Sequence, residues 1–357
     1  MGAQVGNTSE KLLPDIVLVR LFLIAVLVLY HSMCPFTGGW GKFEGQTDIP
    51  AYGILGVILY SCLLETWVFV SGYVFGHQVK TKGEDALSFR NCIWRKFKRL
   101  MIPSILFSIL YCLIISPEEF ENSAHIIIYR TTRGYGHLWF LPMLFWCFIF
   151  IFIFEKLKIS WKIILPALLI SAVFSKSDML GFRFGNATYY MFFFYLGYVI
   201  KSGKISSRDI HWGGKTTYWS AVTYILLFVV ARFISDKINL AQSFVTPLYP
   251  AYDIPSNILI MSYSLPGVLF IMNFANRILE NSAVQVSPII VKLSGLTFGA
   301  YLIQEFILRI FYYKSTLISF VPSFLAPWTA AIISITLSVA LTYLFQRAKK
   351  RIKLCRQ

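Results

Sequence analysis

Asp15-Ile-Val-Leu-Val-Arg20-Leu-Phe-Leu-Ile-Ala-Val-Leu-Val-Leu-Tyr30-His31-Ser32 is an apolar run long enough to cross a bilayer, with an arginine near one end and a histidine near the other. The two stand eleven residues apart. At about 100° per residue that is roughly three full turns plus 20°, so both side chains leave one face of a helix. At about 1.5 Å per residue they are separated by roughly 16 Å along the axis. Ionisable groups inside a membrane helix are costly, and they mark functional sites before they mark anything else.

The rest of the chain has the same character. Of 357 residues 57% are hydrophobic and the mean hydropathy is +0.64, a composition of polytopic membrane proteins rather than soluble domains. Ten apolar runs follow one another at about 16–33, 51–75, 101–116, 137–154, 163–175, 188–200, 218–233, 254–275, 293–312 and 326–345. The predicted fold is therefore an all-α integral membrane protein of about ten transmembrane helices. A polar tail (1–15) precedes a single membrane domain (16–346), and a basic tail (347–357) follows it. The first run carries no small-residue cleavage site, which argues against a removable signal peptide.

The net charge of +16 raises nucleic acid as a partner, but the basic residues lie between apolar runs and form no continuous basic domain. Lys and Arg number 22 in the loops after runs 2, 4, 6 and 8 plus the C-terminal tail. They number 9 in the loops after the odd-numbered runs together with the last turns of those runs. By the positive-inside rule both termini are cytoplasmic, Arg20 is near the inner face and His31 near the outer one. The expected surroundings are a bacterial cytoplasmic membrane and its lipids, with no nucleic acid. The six cysteines have neither CxxC nor ligand spacing, so they read as small hydrophobes, and no metal site is expected.

Several polar residues could carry chemistry. Arg20 could snorkel to headgroups, and His31 could be a satisfied core residue, but a base near the outer third of a span fits general-base catalysis better. Their polarity suits a coenzyme A thioester entering from the cytoplasm, its phosphates held by Arg20 and by Arg95, Lys96 and Arg99 of the basic run Arg95-Lys-Phe-Lys-Arg99. That run also serves as an ordinary positive-inside anchor. Glu65, inside the second run, reads as a catalytic partner of His31 and Arg20. Arg133, Tyr135, His137 and Trp139 before the fourth run, and Glu305 in the ninth, are candidates for holding an acceptor, since aromatics and fixed donors suit saccharides. Interfacial anchoring accounts for the Tyr and Trp equally well.

Arg20-x10-His31, Phe69-Val-Ser71-Gly72-Tyr73, the basic run before Ile102-Pro103, His137-Leu-Trp139-Phe140-Leu141, Phe194-Tyr-Leu-Gly197-Tyr and Thr297-Phe-Gly-Ala-Tyr301-Leu-Ile303 together resemble the membrane-bound acyltransferase type 3 family. The resemblance covers nearly the whole chain in order. It implies transfer of an acyl group, usually acetyl, from cytoplasmic acetyl-CoA to a surface or lipid-linked carbohydrate, with Arg20 and His31 matching the family's essential pair. Envelope-biosynthesis partners or a second copy of the chain would be the expected protein partners. The family often has His after Tyr-Leu-Ile, where this chain has Gln304, and Glu65-Thr-Trp-Val-Phe69 stands where a run of Phe is common. The competing reading is a transporter or flippase for a lipid-linked sugar or anion, with Arg20, His31 and Glu65 as a binding or proton-relay site.

The charge asymmetry makes one prediction directly. A phosphatase that folds only outside the cytoplasm, fused after Gln357, is expected to be inactive, and a cytoplasmic reporter there active; the reverse result would overturn the orientation.

Overall fold

A computed structural model describes residues 13–117, 124–175, 182–205, 214–242, 253–281 and 287–354. The N-terminal tail up to residue 12, the acidic run 118–121 and Cys355 lie outside the described residues. Among those described, every regular element is a helix.

The run that opens the chain is α1 (Pro14–Ser32). Pro14 takes the first helical position, where no intrahelical bond is lost, and Asp15 follows at the positive end of the helix dipole. A short α2 (Cys34–Thr37) turns the chain, and Gly38 ends it at φ +77°. The second run is not continuous. It is split into α3 (Pro50–Tyr60) and α4 (Leu63–Lys82), with a break at Ser61-Cys62 that leaves Glu65 in the first turn of α4. A 3-10 turn (Gly83–Leu87) and a wide π turn (Phe89–Trp94) lead into α5 (Arg95–Ile114).

After α6 (Ala124–Arg133), a 3-10 turn (Gly136–Trp139) enters α7 (Phe140–Lys156). Then come α8 (Trp161–Val173), α9 (Phe184–Ser202), α10 (Gly214–Gln242) and α11 (Asp253–Asn281). The ninth run is again split, into α12 (Pro288–Ser294) and α13 (Thr297–Tyr313), bent by 57°. The long α14 (Ala326–Leu354) closes the described chain.

A helix occupies each of the ten apolar runs, but they are not ten equal crossings. Among the described residues seven helical stretches are long and apolar enough to span a membrane, with α3 and α4 counted together as one, or eight if the bent α12–α13 pair is added. At 13 residues, α8 reaches about 20 Å, short of a hydrocarbon core of about 30 Å. α9 has the length but is rich in Tyr and buries most of its surface.

α1 is the hub. It packs against α3, α4, α11, α12, α13 and α14, and Val19, Leu23, Leu27 and Val28 are almost fully buried. The perimeter, by contrast, shows apolar side chains outward, as Ile225, Leu226 and Val229 on α10 and Ile332, Leu341 and Phe345 on α14 do. That is the surface a lipid-facing helix should have.

α4 and α9 pack backbone against backbone, and glycine makes it possible. A Cβ on Gly72 would sit 1.9 Å from the Phe194 carbonyl oxygen, and one on Gly197 would sit 2.3 Å from that of Phe69. Small residues let membrane helices approach backbone to backbone, where dispersion supplies the attraction that lipid does not. Two of the family-like motifs, around Gly72 and Gly197, therefore have a packing reason. Gly72→Val should force the pair apart and lower the thermal midpoint in detergent, at a cost of about 1–3 kcal/mol or more. Gly41→Ala, where a Cβ meets nothing within 4 Å, should leave it unchanged.

Candidate active site

Arg20 and His31 do share a face, and that face lines one cavity of about 450 Å³. The cavity runs alongside α1. Near Arg20 it is bordered by Lys96, Arg99 and Gln78, and near His31 by Trp40, His137, Glu305 and Arg309. Ser294, Gly295 and Thr297, at the bend between α12 and α13, also line it. The bend leaves the first backbone N–H groups of α13 without intrahelical partners, a favourable place for an anion. Arg99 lies over the Phe298 ring at 5.6 Å, which ties that cation to the same bend.

His31 is buried and its Nδ1 is met by the side-chain amide of Gln304, with Nε2 at 2.8 Å and Oε1 at 3.1 Å. Gln304 is itself fully enclosed, and Ser334 of α14 donates to its backbone carbonyl at 2.9 Å. With the amide on Nδ1, ring nitrogen Nε2 remains for a reacting group. When the amide oxygen accepts from Nδ1–H, the lone pair sits on Nε2, which is the tautomer a general base needs.

Beside it, 6.0 Å from ring to ring, stands His137. Its Nδ1 lies 2.8 Å from Glu305 Oε2, and its Nε2 lies 2.9 Å from the Tyr301 carbonyl oxygen. The Nε2 contact is a hydrogen bond, whereas Nδ1 stands at ion-pair distance from the carboxylate without the alignment of one. The Tyr301 hydroxyl returns a hydrogen bond to the His137 carbonyl at 2.7 Å, so α13 and the turn 136–139 hold each other at two points. Glu305 is 2% exposed and is saturated. It accepts from the Tyr111 hydroxyl at 2.7 Å, from the His137 backbone N–H at 3.2 Å and from Arg309 Nε at 3.3 Å. Arg309 lies over the Trp40 ring at 4.1 Å.

The turn before His137 depends on glycine. Gly134 and Gly136 have φ of +76° and +53°, and a Cβ on Gly136 would stand 3.1 Å from Glu305 Oε1. Only a residue without a side chain lets the carboxylate approach that backbone.

The other sequence candidates fall in three places. Trp139 lines the cavity with His137 and Glu305, and Lys96 and Arg99 line its other end, whereas Arg95 is exposed and does not border it. Tyr135 stacks on Tyr111 at 4.6 Å and accepts from Arg130 at 3.0 Å, so it supports the residue that holds Glu305. Arg133 bonds the Tyr129 hydroxyl, and its backbone carbonyl accepts from Arg183. Glu65 is not brought to Arg20 or His31. It lines a second cavity and accepts from the Tyr189 hydroxyl at 3.3 Å. Among the described residues no three His, Cys, Asp or Glu side chains gather as metal ligands would.

A model of the acyltransferase 3 family, described as an acyltransferase domain, matches residues 13–347. The chain belongs to that family. No curated protein and no solved structure matches it. The acyltransferase fold thus sets in or beside the Arg20–His31 cavity four groups that sequence reasoning left out or noted only in passing. Arg309 and Trp40 line it, while Gln304 and Tyr111 hold His31 and Glu305 in place. Arg309 had a visible signal, since an acid and a base four residues apart inside one apolar run seldom occur except as a pair.

The network makes separable predictions. Glu305→Ala should destabilise the acyltransferase by about 3–5 kcal/mol, because His137 and Arg309 lose their counter-charge in a buried place. Gln304→Leu should fold and melt near the wild type but lose about ten- to a hundredfold in turnover through misorientation of His31. Equal losses of stability in the two variants would refute the separate roles.

Proposed function

We propose that this membrane acyltransferase moves an acyl group, acetyl in the simplest case, from acetyl-CoA at the Arg20 end of the cavity to a carbohydrate hydroxyl at the His31 end. The single observation that carries the reading is one continuous cavity with cations at one end and a partnered imidazole at the other. Arg20, Lys96, Arg99 and the bend before Thr297 offer charge and backbone N–H groups to the phosphates of the donor. The pantetheine arm then lies along α1, with the thioester near His31. In a bacterial cytoplasmic membrane with the charge-rich loops inside, the donor enters from the cytoplasm and the acceptor is an extracytoplasmic or lipid-linked carbohydrate.

In the chemical step the acceptor hydroxyl gives its proton to His31 Nε2 as its oxygen attacks the thioester carbon. The C–O bond forms, the C–S bond breaks, and the proton passes from His31 to the leaving thiolate, leaving an ester and free coenzyme A. Gln304 fixes the ring through Nδ1. Arg309, beside His31 in the same cavity, is placed to favour negative charge on the carbonyl oxygen. A transporter built on Arg20, His31 and Glu65 would need the three on one path, and Glu65 lines the other cavity.

The test supplies labelled acetyl-CoA to membranes of the native host and follows label in the carbohydrate fraction together with thiol release. His31→Ala should lose about 10²–10⁴-fold in transfer. Arg20→Ala should raise the KM for acetyl-CoA with a smaller effect on kcat. Wild-type membranes that move substrate without releasing coenzyme A, or a fully active His31→Ala, would overturn the proposal.

A further inference from the structure

A second cavity of about 470 Å³ lies on the other side of the Tyr30–Tyr60 pair. The two rings are stacked at 4.3 Å, and both residues, with Gly39, line both cavities. The volume falls in the range of small-molecule pockets, about 300–1,000 Å³. Its walls are polar and aromatic rather than aliphatic: Tyr30, Tyr60, Glu65, Asn186, Tyr189 and Tyr263 face it.

Two of these groups are short of partners. Glu65 is 5% exposed, yet its one hydrogen bond from another side chain among the described residues is the 3.3 Å contact from Tyr189. A carboxyl group has room for about four such bonds. Asn186 Oδ1 is enclosed and has no hydrogen-bond partner among the described residues. Asn257, by contrast, is spent on the end of α8, donating to the carbonyls of Val173 and Ser175 at 3.1 and 3.0 Å, which fixes that wall. The α3–α4 break at Ser61 also opens onto this cavity, and broken helices at membrane depth occur where they line a site.

Resting on the acyl-transfer reading, we propose that this second cavity is the acceptor subsite and that it takes one sugar ring of the carbohydrate. A sugar offers hydroxyl donors for Glu65 and Asn186 and apolar C–H faces for the tyrosine rings, the two kinds of surface this cavity presents together. A lipid tail would leave Glu65 and Asn186 unsatisfied. The hydroxyl to be acylated reaches past Tyr30 into the first cavity, where the neighbouring residue His31 takes its proton. Glu65 is thus an acceptor-binding residue and takes no part in the proton transfer.

The experiment uses the full chain in native-host membranes, labelled acetyl-CoA as donor and a glycan extract of the host envelope as acceptor, each titrated separately. Glu65→Gln, Tyr189→Phe and Asn186→Ala should each raise the KM for the glycan extract tenfold or more. The KM for acetyl-CoA should stay within twofold, and the melting temperature in detergent should stay near the wild type. Tyr189→Phe and Asn186→Ala keep the test decisive if Glu65→Gln does not fold. Unchanged glycan KM in the folded variants, a parallel rise of both KM values, or a phospholipid held in the cavity of the purified protein would overturn the subsite. Wild-type membranes that label no carbohydrate would instead overturn the function on which it rests.

Discussion

A carboxylate buried among apolar helices must be neutralised where it stands, and Glu305 meets that demand with groups from three parts of the chain. Tyr111 comes from α5, His137 from the turn before α7, and Arg309 from the next turn of its own helix. The penalty for an unpaired charge at this depth is large enough that the three must converge. Their convergence sets the rotation of α13. Because Gln304 precedes Glu305, the same rotation turns the amide towards α1 and onto His31. The His31 imidazole is therefore oriented by a residue whose own position follows from the ion pair beside it.

Both cavities open where a membrane helix is interrupted. The bend between α12 and α13 lines the first, and the gap between α3 and α4 lines the second. An unbroken helix presents side chains only, since its backbone groups are spent internally. An interrupted one exposes N–H and C=O groups as well, and these are tolerated at depth only against protein or a polar cavity. α1 runs unbroken between them, and the fold uses it as the rigid partition on which Arg20 and His31 are spaced.

The all-helical class and the shared face of Arg20 and His31 were legible from hydropathy and helical period, and charge and motif singled out Lys96, Arg99, His137, Trp139 and Glu305, but not that they line one cavity. What was not legible depends on contacts between distant segments. Glu65 read as a partner of His31 because residues 51–75 read as one continuous helix. The break at Ser61-Cys62 has no proline or glycine to announce it, and it turns Glu65 to the other side of the Tyr30–Tyr60 pair. Gln304 read as a departure from the family pattern, because its value lies in a contact 273 residues away. A glutamine there keeps what the geometry requires of the position, one acceptor and one donor within reach of Nδ1, while adding no charge.

That neutrality bears on the order of events in acyl transfer. Arg309 is a permanent cation that borders the same cavity as His31 and His137. Protonating His31 adds a second cation at an enclosed position in that cavity. Desolvation and the nearby guanidinium both oppose that charge, and Glu305 offsets them only in part. A histidine at position 304 could itself become charged and add to the repulsion, whereas glutamine cannot. The site thus penalises a long-lived imidazolium at position 31. In the proposed transfer this favours a step in which the proton taken from the acceptor hydroxyl is handed on to the departing thiolate as the C–S bond breaks, so that the charge on His31 is never held for long.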